Sequence, residues 1–105
     1  MTYEVRLTAR AERDLEEAYR WYRERAAGHA ERWYNGFLDA LVSLERAPQS
    51  FPLIPERENF REEVRHLLYG RRRSWRAIFV VRGGTVLVLH IRHSSRHTLS
   101  PDDLP

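Results

Sequence analysis

The sequence predicts an α+β fold of order β-α-α-β-β-β. It comprises an N-terminal strand, an antiparallel helical hairpin, and a three-stranded antiparallel meander forming one sheet packed on the hairpin. Three observations carry this. Residues 2–7 alternate apolar and polar side chains. Two stretches between Ala11 and Leu44 repeat apolar side chains at helical spacing. Two apolar runs, 75–82 and 85–93, flank Gly83-Gly84.

In the first strand, Tyr3, Val5 and Leu7 oppose Glu4 and Arg6, the pattern of a half-buried strand. Thr8 can cap the helix that follows, with Glu12 and Asp14 early, where the helix dipole favours acids. Ala11, Leu15, Ala18, Tyr19, Tyr22 and Ala26 form its apolar stripe. Gly28 is the expected stop. A second helix starts near His29, with a stripe of Ala30, Trp33, Tyr34, Phe37, Leu38, Leu41 and Leu44, and Pro48 closes it. So short a turn between long helices requires an antiparallel hairpin. Trp21 lies off the centre of its stripe, which suits a sheet edge or a protein contact.

Residues 47–61 hold three prolines between Phe51, Leu53, Ile54 and Phe60, an irregular but anchored connection. Residues 62–69 read as a strand, and Arg71-Arg72-Arg73 as a basic turn after Gly70. The Gly-Gly pair predicts a two-residue hairpin. Without a bulge, Val80 then faces Leu87, Ile78 faces Leu89 and Arg76 faces Ile91. One face carries Ile78, Val80, Leu87, Leu89 and Ile91; being entirely aliphatic, it is expected to meet the helices. The other carries Trp75, Ala77, Phe79, Val81, Val86, Val88, His90 and Arg92. It should be covered by the 47–60 segment or by another protein. Ser100-Pro101-Asp102-Asp103 in the tail, 97–105, has a helix-start signature good for one turn at most.

The chain of 105 residues is expected to be one domain, 1–105. Cysteine is absent, which excludes disulfides, thiolate zinc sites and thiol catalysis. No apolar run approaches the roughly 20 residues of a membrane helix and the N-terminus lacks an h-region, so the expected location is cytoplasmic, with no membrane contact. The His90, His93, His97 spacing invites a metal reading. Strand geometry sends the first two to opposite faces, so neither metal nor cofactor is expected.

All basic residues are arginines. Residues 1–64 carry ten against thirteen acids; residues 65–105 carry eight against two. Guanidinium is planar, stays charged and grips phosphate with two parallel N–H bonds. Arg65, Arg71, Arg72, Arg73 and Arg92 are therefore candidate RNA- or anion-binding residues. Arg76, His93 and Arg96 are candidate catalytic residues, with positions 76 and 93 at the same end of the hairpin. Arginine neutralises phosphate oxygens as charge builds, and an imidazole moves the proton, so an RNA 2′-hydroxyl could attack its own phosphate without a metal. A solvated basic edge contacting an acidic partner is the competing reading.

Several segments carry a resemblance over roughly residues 2–97. They are Tyr3-Glu4-Val5-Arg6-Leu7-Thr8 leading into Ala11-Glu12-Arg13-Asp14-Leu15, then Leu44 through Pro48, and Val64-Arg65-His66-Leu67. Trp75-Arg76-Ala77-Ile78-Phe79 and His90-Ile91-Arg92-His93-Ser94-Ser95-Arg96 follow. Their order and spacing resemble the RelE/ParE family of toxins from bacterial type II toxin–antitoxin modules. The resemblance implies a toxin that arrests growth unless a cognate antitoxin neutralises it. An acidic amphipathic antitoxin segment would cover Trp75, Phe79, Val81 and Val88 together with the arginine strip. RelE-like members cut mRNA on the ribosome; ParE-like members poison DNA gyrase. The long hairpin is more similar to the ParE-like group. Arg76 matches the family arginine after the aromatic of the third strand, Arg96 a basic residue after the last strand, and His93 the acid/base of some relatives. The tyrosine and lysines of RelE-like nucleases have no counterpart. A non-toxic binding module that keeps the fold, a plain nucleic-acid-binding protein, and a homodimer of the free chain stay open.

Overall fold

The computed structural model describes residues 2–56 and 60–94. Strand β1 (Glu4–Leu7) leads into α1 (Ala9–Arg25) and α2 (Ala27–Val42). Strands β2 (Arg65–Tyr69), β3 (Trp75–Arg82) and β4 (Thr85–His93) follow. One sheet has the order β1-β4-β3-β2. Three of its strands form the expected meander, and β1 joins β4 in parallel, pairing Val5 with Val86 and Leu7 with Val88. The tail signature at Ser100 lies outside the described residues.

Thr8 caps α1 as expected: its hydroxyl accepts from the Ala11 backbone N–H at 3.1 Å. The stop does not fall at Gly28, which sits in the first turn of α2. Ala26 alone separates the helices, at φ −152° and ψ 63°. That φ is extended and open to any residue, so no glycine is needed. Tyr19 packs on Tyr34 and Tyr22 on Trp33, both at 4.9 Å between ring centres. Rising numbers on α1 thus meet falling ones on α2, the mark of an antiparallel hairpin.

The two sheet faces are the reverse of the expectation. The helices bury the face that carries Ala77, Phe79, Val86 and Val88, against Leu15, Trp33, Phe37 and Leu41. The aliphatic face of Ile78, Val80 and Leu89 is covered by Ile54, Val64 and Phe60. The reason lies in β1. Its apolar side is Tyr3, Val5 and Leu7, and the parallel register puts Val5 and Leu7 beside Val86 and Val88. The hairpin that grows out of β1 closes over that side.

The register also departs from a plain hairpin. Near the turn Val80 faces Leu87, as expected, but the pairing shifts between Ile78 and Phe79. Phe79 faces Val88 while Ile78 faces His90, so β4 carries one extra residue, a β-bulge. Thr8, the N-cap of α1, and Asp14 within the helix hold its backbone groups. The Thr8 hydroxyl donates to the Leu89 carbonyl at 3.1 Å, and the Asp14 carboxylate accepts from the Ile91 N–H at 3.0 Å. Beyond the bulge Arg76 faces Arg92 and Trp75 faces His93. A one-residue slip turns every later side chain to the opposite face.

Tyr69 docks β2 on α2, its hydroxyl donating to the Trp33 carbonyl at 3.2 Å over Gly36. A Cβ at Gly36 would overlap that hydroxyl and lie 3.2 Å from Cζ of the same ring. Alanine normally stabilises a helix by about 1 kcal/mol relative to glycine. Here the sign reverses: Gly36→Ala lowers the melting temperature, and adding Tyr69→Phe recovers part of the loss by removing the nearest atom.

Candidate functional site

The sheet end where β3 starts and β4 finishes collects the predicted site residues, and the bulge divides them. Trp75 and His93 point to the helix side, their rings 5.2 Å apart and edge-on. Arg76 and Arg92 point to the other side. Positions 76 and 93 do share an end of the hairpin, but the two side chains lie on opposite faces of the sheet. Arg96 lies outside the described residues.

On the outer face Arg76 is engaged. Its Nη2 and Nη1 donate to the two carboxylate oxygens of Glu56 at 2.9 and 3.4 Å. The two side chains are only 12% and 6% exposed, so this is a buried, two-pronged ion pair. It tethers the segment crossing that face to β3. Sequence reasoning missed Glu56; an acid next to Pro55 in an apolar connection was the signal on offer. His66, paired with Ile78 on this face, is buried, and its Nδ1 has no hydrogen-bond partner among the described residues. Burial, aided by the Arg76 charge, pulls its pKa below the ordinary histidine value, and Glu56 opposes this in part.

The sign of the pH effect follows. An unfolded histidine titrates near ~6.5. Between the lower folded value and that point the unfolded chain binds more protons. Stability is therefore full above about pH 6.5 and falls as pH drops through the window, by at most about 1.4 kcal/mol per unit. Urea unfolding across this range should show the slope, and His66→Gln should flatten it.

The candidate anion-binding arginines also separate. Arg65 donates to the Phe51 carbonyl at 2.6 Å and pairs with Glu63 at 3.4 Å. Arg92 is buried. Arg71, Arg72 and Arg73 are exposed on the turn between β2 and β3. The face expected to take an antitoxin is filled by the chain's own helices. Phe79 and Val88 are 0% exposed, Val81 is half-buried, and Trp75 alone of the four also borders a cleft.

That cleft, of about 490 Å³, opens between α1 and the end of β4. Trp21, Tyr22 and Trp75 form aromatic walls; Arg10, Asp14, Glu17 and His93 supply polar groups, and Arg92 also borders the cleft. Trp75 Nε1 donates to the Tyr22 hydroxyl at 3.1 Å, which fixes both rings. Trp21 is 50% exposed, with the Arg25 guanidinium 4.6 Å from its ring centre. Its position off the apolar stripe was the sequence signal, and the cleft is where that signal leads. An amphipathic partner chain could seat apolar side chains on the rings and polar ones at the rim. Among the described residues no three metal-ligating side chains converge, and no helix is long and apolar enough to cross a membrane.

No curated protein matches the sequence. Among solved structures, the chain is similar to one of the chromosomal ParDE toxin–antitoxin system from P. aeruginosa. The TM-score is 0.73 at 20% identity, over 88% of this chain and 96% of that one. It is also similar to a chain of the toxin–antitoxin complex RelBE2 from Mycobacterium tuberculosis. There the TM-score is 0.53 at 22% identity, over 89% and 99% of the two chains. At such identities these likenesses speak for the fold. The family model described as the ParE toxin of the type II toxin–antitoxin system parDE matches residues 5–98. With strand, helical hairpin and meander in the expected order, and with that match spanning nearly the whole sequence, this chain belongs to the ParE toxin family of type II toxin–antitoxin systems.

Proposed function

We propose that the chain is a growth-arresting toxin that acts by binding DNA gyrase, is neutralised by a cognate antitoxin, and does not cleave mRNA. One observation carries this reading. The bulge puts His93 and Arg76 on opposite faces, and Arg76 is already held by Glu56. A metal-independent nuclease needs its guanidinium and its proton carrier around one phosphate. The absence of the tyrosine and lysines of RelE-like nucleases supports the same side. Induction of the gene alone should arrest growth, and purified protein should inhibit supercoiling by gyrase, with transcripts intact by primer extension. Fresh mRNA ends after induction would overturn the binding mechanism; unaffected growth with folded protein would favour a non-toxic module.

The antitoxin is assigned to the cleft beside α1, because Trp21, Tyr22 and Trp75 offer it aromatic surface there. An exposed tryptophan that becomes buried is a typical interface hot spot. Trp21→Ala should weaken the antitoxin complex by at least about tenfold, read by calorimetry, with little change in the melting temperature of the free toxin.

A further inference from the structure

We propose that the Arg71–Arg73 turn is a preformed contact for the phosphates of duplex nucleic acid, made by residues other than those that line the antitoxin cleft. Two observations carry it.

The first concerns charge. Seven arginines of the described residues each reach a carboxylate within 4 Å. Arg71, Arg72 and Arg73 reach none there, though they are consecutive and repel one another. Water and salt screen such a cluster, and an outside anion relieves its repulsion further.

The second concerns shape. Arg72 and Arg73 both hold left-handed backbone, at φ 59° and 55°, and follow Gly70 at φ 88°. The turn is pinned despite this. Arg73 N–H donates to the Gly70 carbonyl at 3.0 Å and Ser74 N–H to that of Arg71 at 3.2 Å. From the end of β4, Ser94 donates its N–H to the Ser74 carbonyl at 2.6 Å and its hydroxyl to the Arg73 carbonyl at 2.7 Å. Strained backbone that the surroundings over-determine is a mark of a binding element. The turn does not alternate its side chains as a strand would, so all three remain exposed.

The regularity of charge favours a nucleic acid. A duplex carries a phosphate at every residue of both strands, so consecutive guanidiniums can each find one. An extended acidic peptide spaces residues about 3.3 Å apart on alternate sides and meets fewer. Guanidinium and phosphate also match in two-pronged geometry.

The test is fluorescence anisotropy of the full-length protein with a random-sequence DNA duplex, across a salt series. Each phosphate contact contributes about −0.9 to the slope of log affinity against log salt. Changing all three residues to glutamine should make the slope shallower by about 2 to 3 and weaken binding at least about tenfold at moderate salt. The triple lysine variant, which keeps the charge, should retain most of the slope; it also guards against a folding defect, checked by circular dichroism. A slope equal to that of the wild type in the glutamine variant overturns the proposal. So does absence of duplex binding by the wild type, or a loss confined to a polyglutamate peptide. Growth arrest and gyrase inhibition read the target separately, so either conclusion can fail without the other.

Discussion

Phe79→Ala should destabilise the chain by about 3–5 kcal/mol, a loss visible as a large fall in the urea midpoint. Phe79 has no exposed surface, lies in the cluster with Phe37 and Val88, and meets the Phe51 ring at 6.0 Å. Removing the ring leaves a cavity that the packed helices cannot close. The experiment also decides which sheet face the helices cover. On a face reserved for a partner, the free protein would tolerate alanine and only the complex would suffer. Unchanged stability would therefore reinstate the aliphatic face as the helix-bound one.

Glu56→Ala should cost about 3–5 kcal/mol, because it strands the buried Arg76 guanidinium without its carboxylate. The pair itself contributes far less. Its attraction is set against the desolvation of both charges, so an apolar pair of similar volume can be as stable. Arg76→Met with Glu56→Leu should thus recover most of what either change loses alone, a coupling that a double-mutant cycle measures. If Glu56→Ala leaves the melting temperature unchanged, Arg76 is not structurally engaged, and the argument against a nuclease loses its basis.

Much of the fold was legible because local periodicity and turn chemistry report it directly. Thr8 was readable as a cap, Gly83-Gly84 as a turn, and β3 and β4 as its flanking strands. The helical stripe of Trp33, Phe37 and Leu41 is the buried one. The helix junction was misplaced by two residues, since glycine is only the commonest stop and Ala26 reaches the required φ unaided. The site was less legible. Arg71–Arg73 stood out as consecutive charges, and Trp21 as an aromatic off its stripe. Glu56 and Asp14 did not, because their roles depend on residues 20 and 77 positions away.

By itself the amino-acid sequence determined the element order, the hairpin of helices, the meander and the segregation of charge. The helices, strands and turns are each encoded in short runs of neighbouring residues, and the charge segregation in a plain count along the chain. Only the tertiary structure decided which sheet face the helices cover and on which side His93 lies. Both faces of β3 and β4 are apolar, so alternation is silent between them until β1 adds its single apolar side next to Val86 and Val88. The bulge leaves no local mark in β4. Thr8 and Asp14, far away in the chain, hold the Leu89 carbonyl and the Ile91 N–H beside it, and the register shift puts Arg76 and His93 on opposite faces.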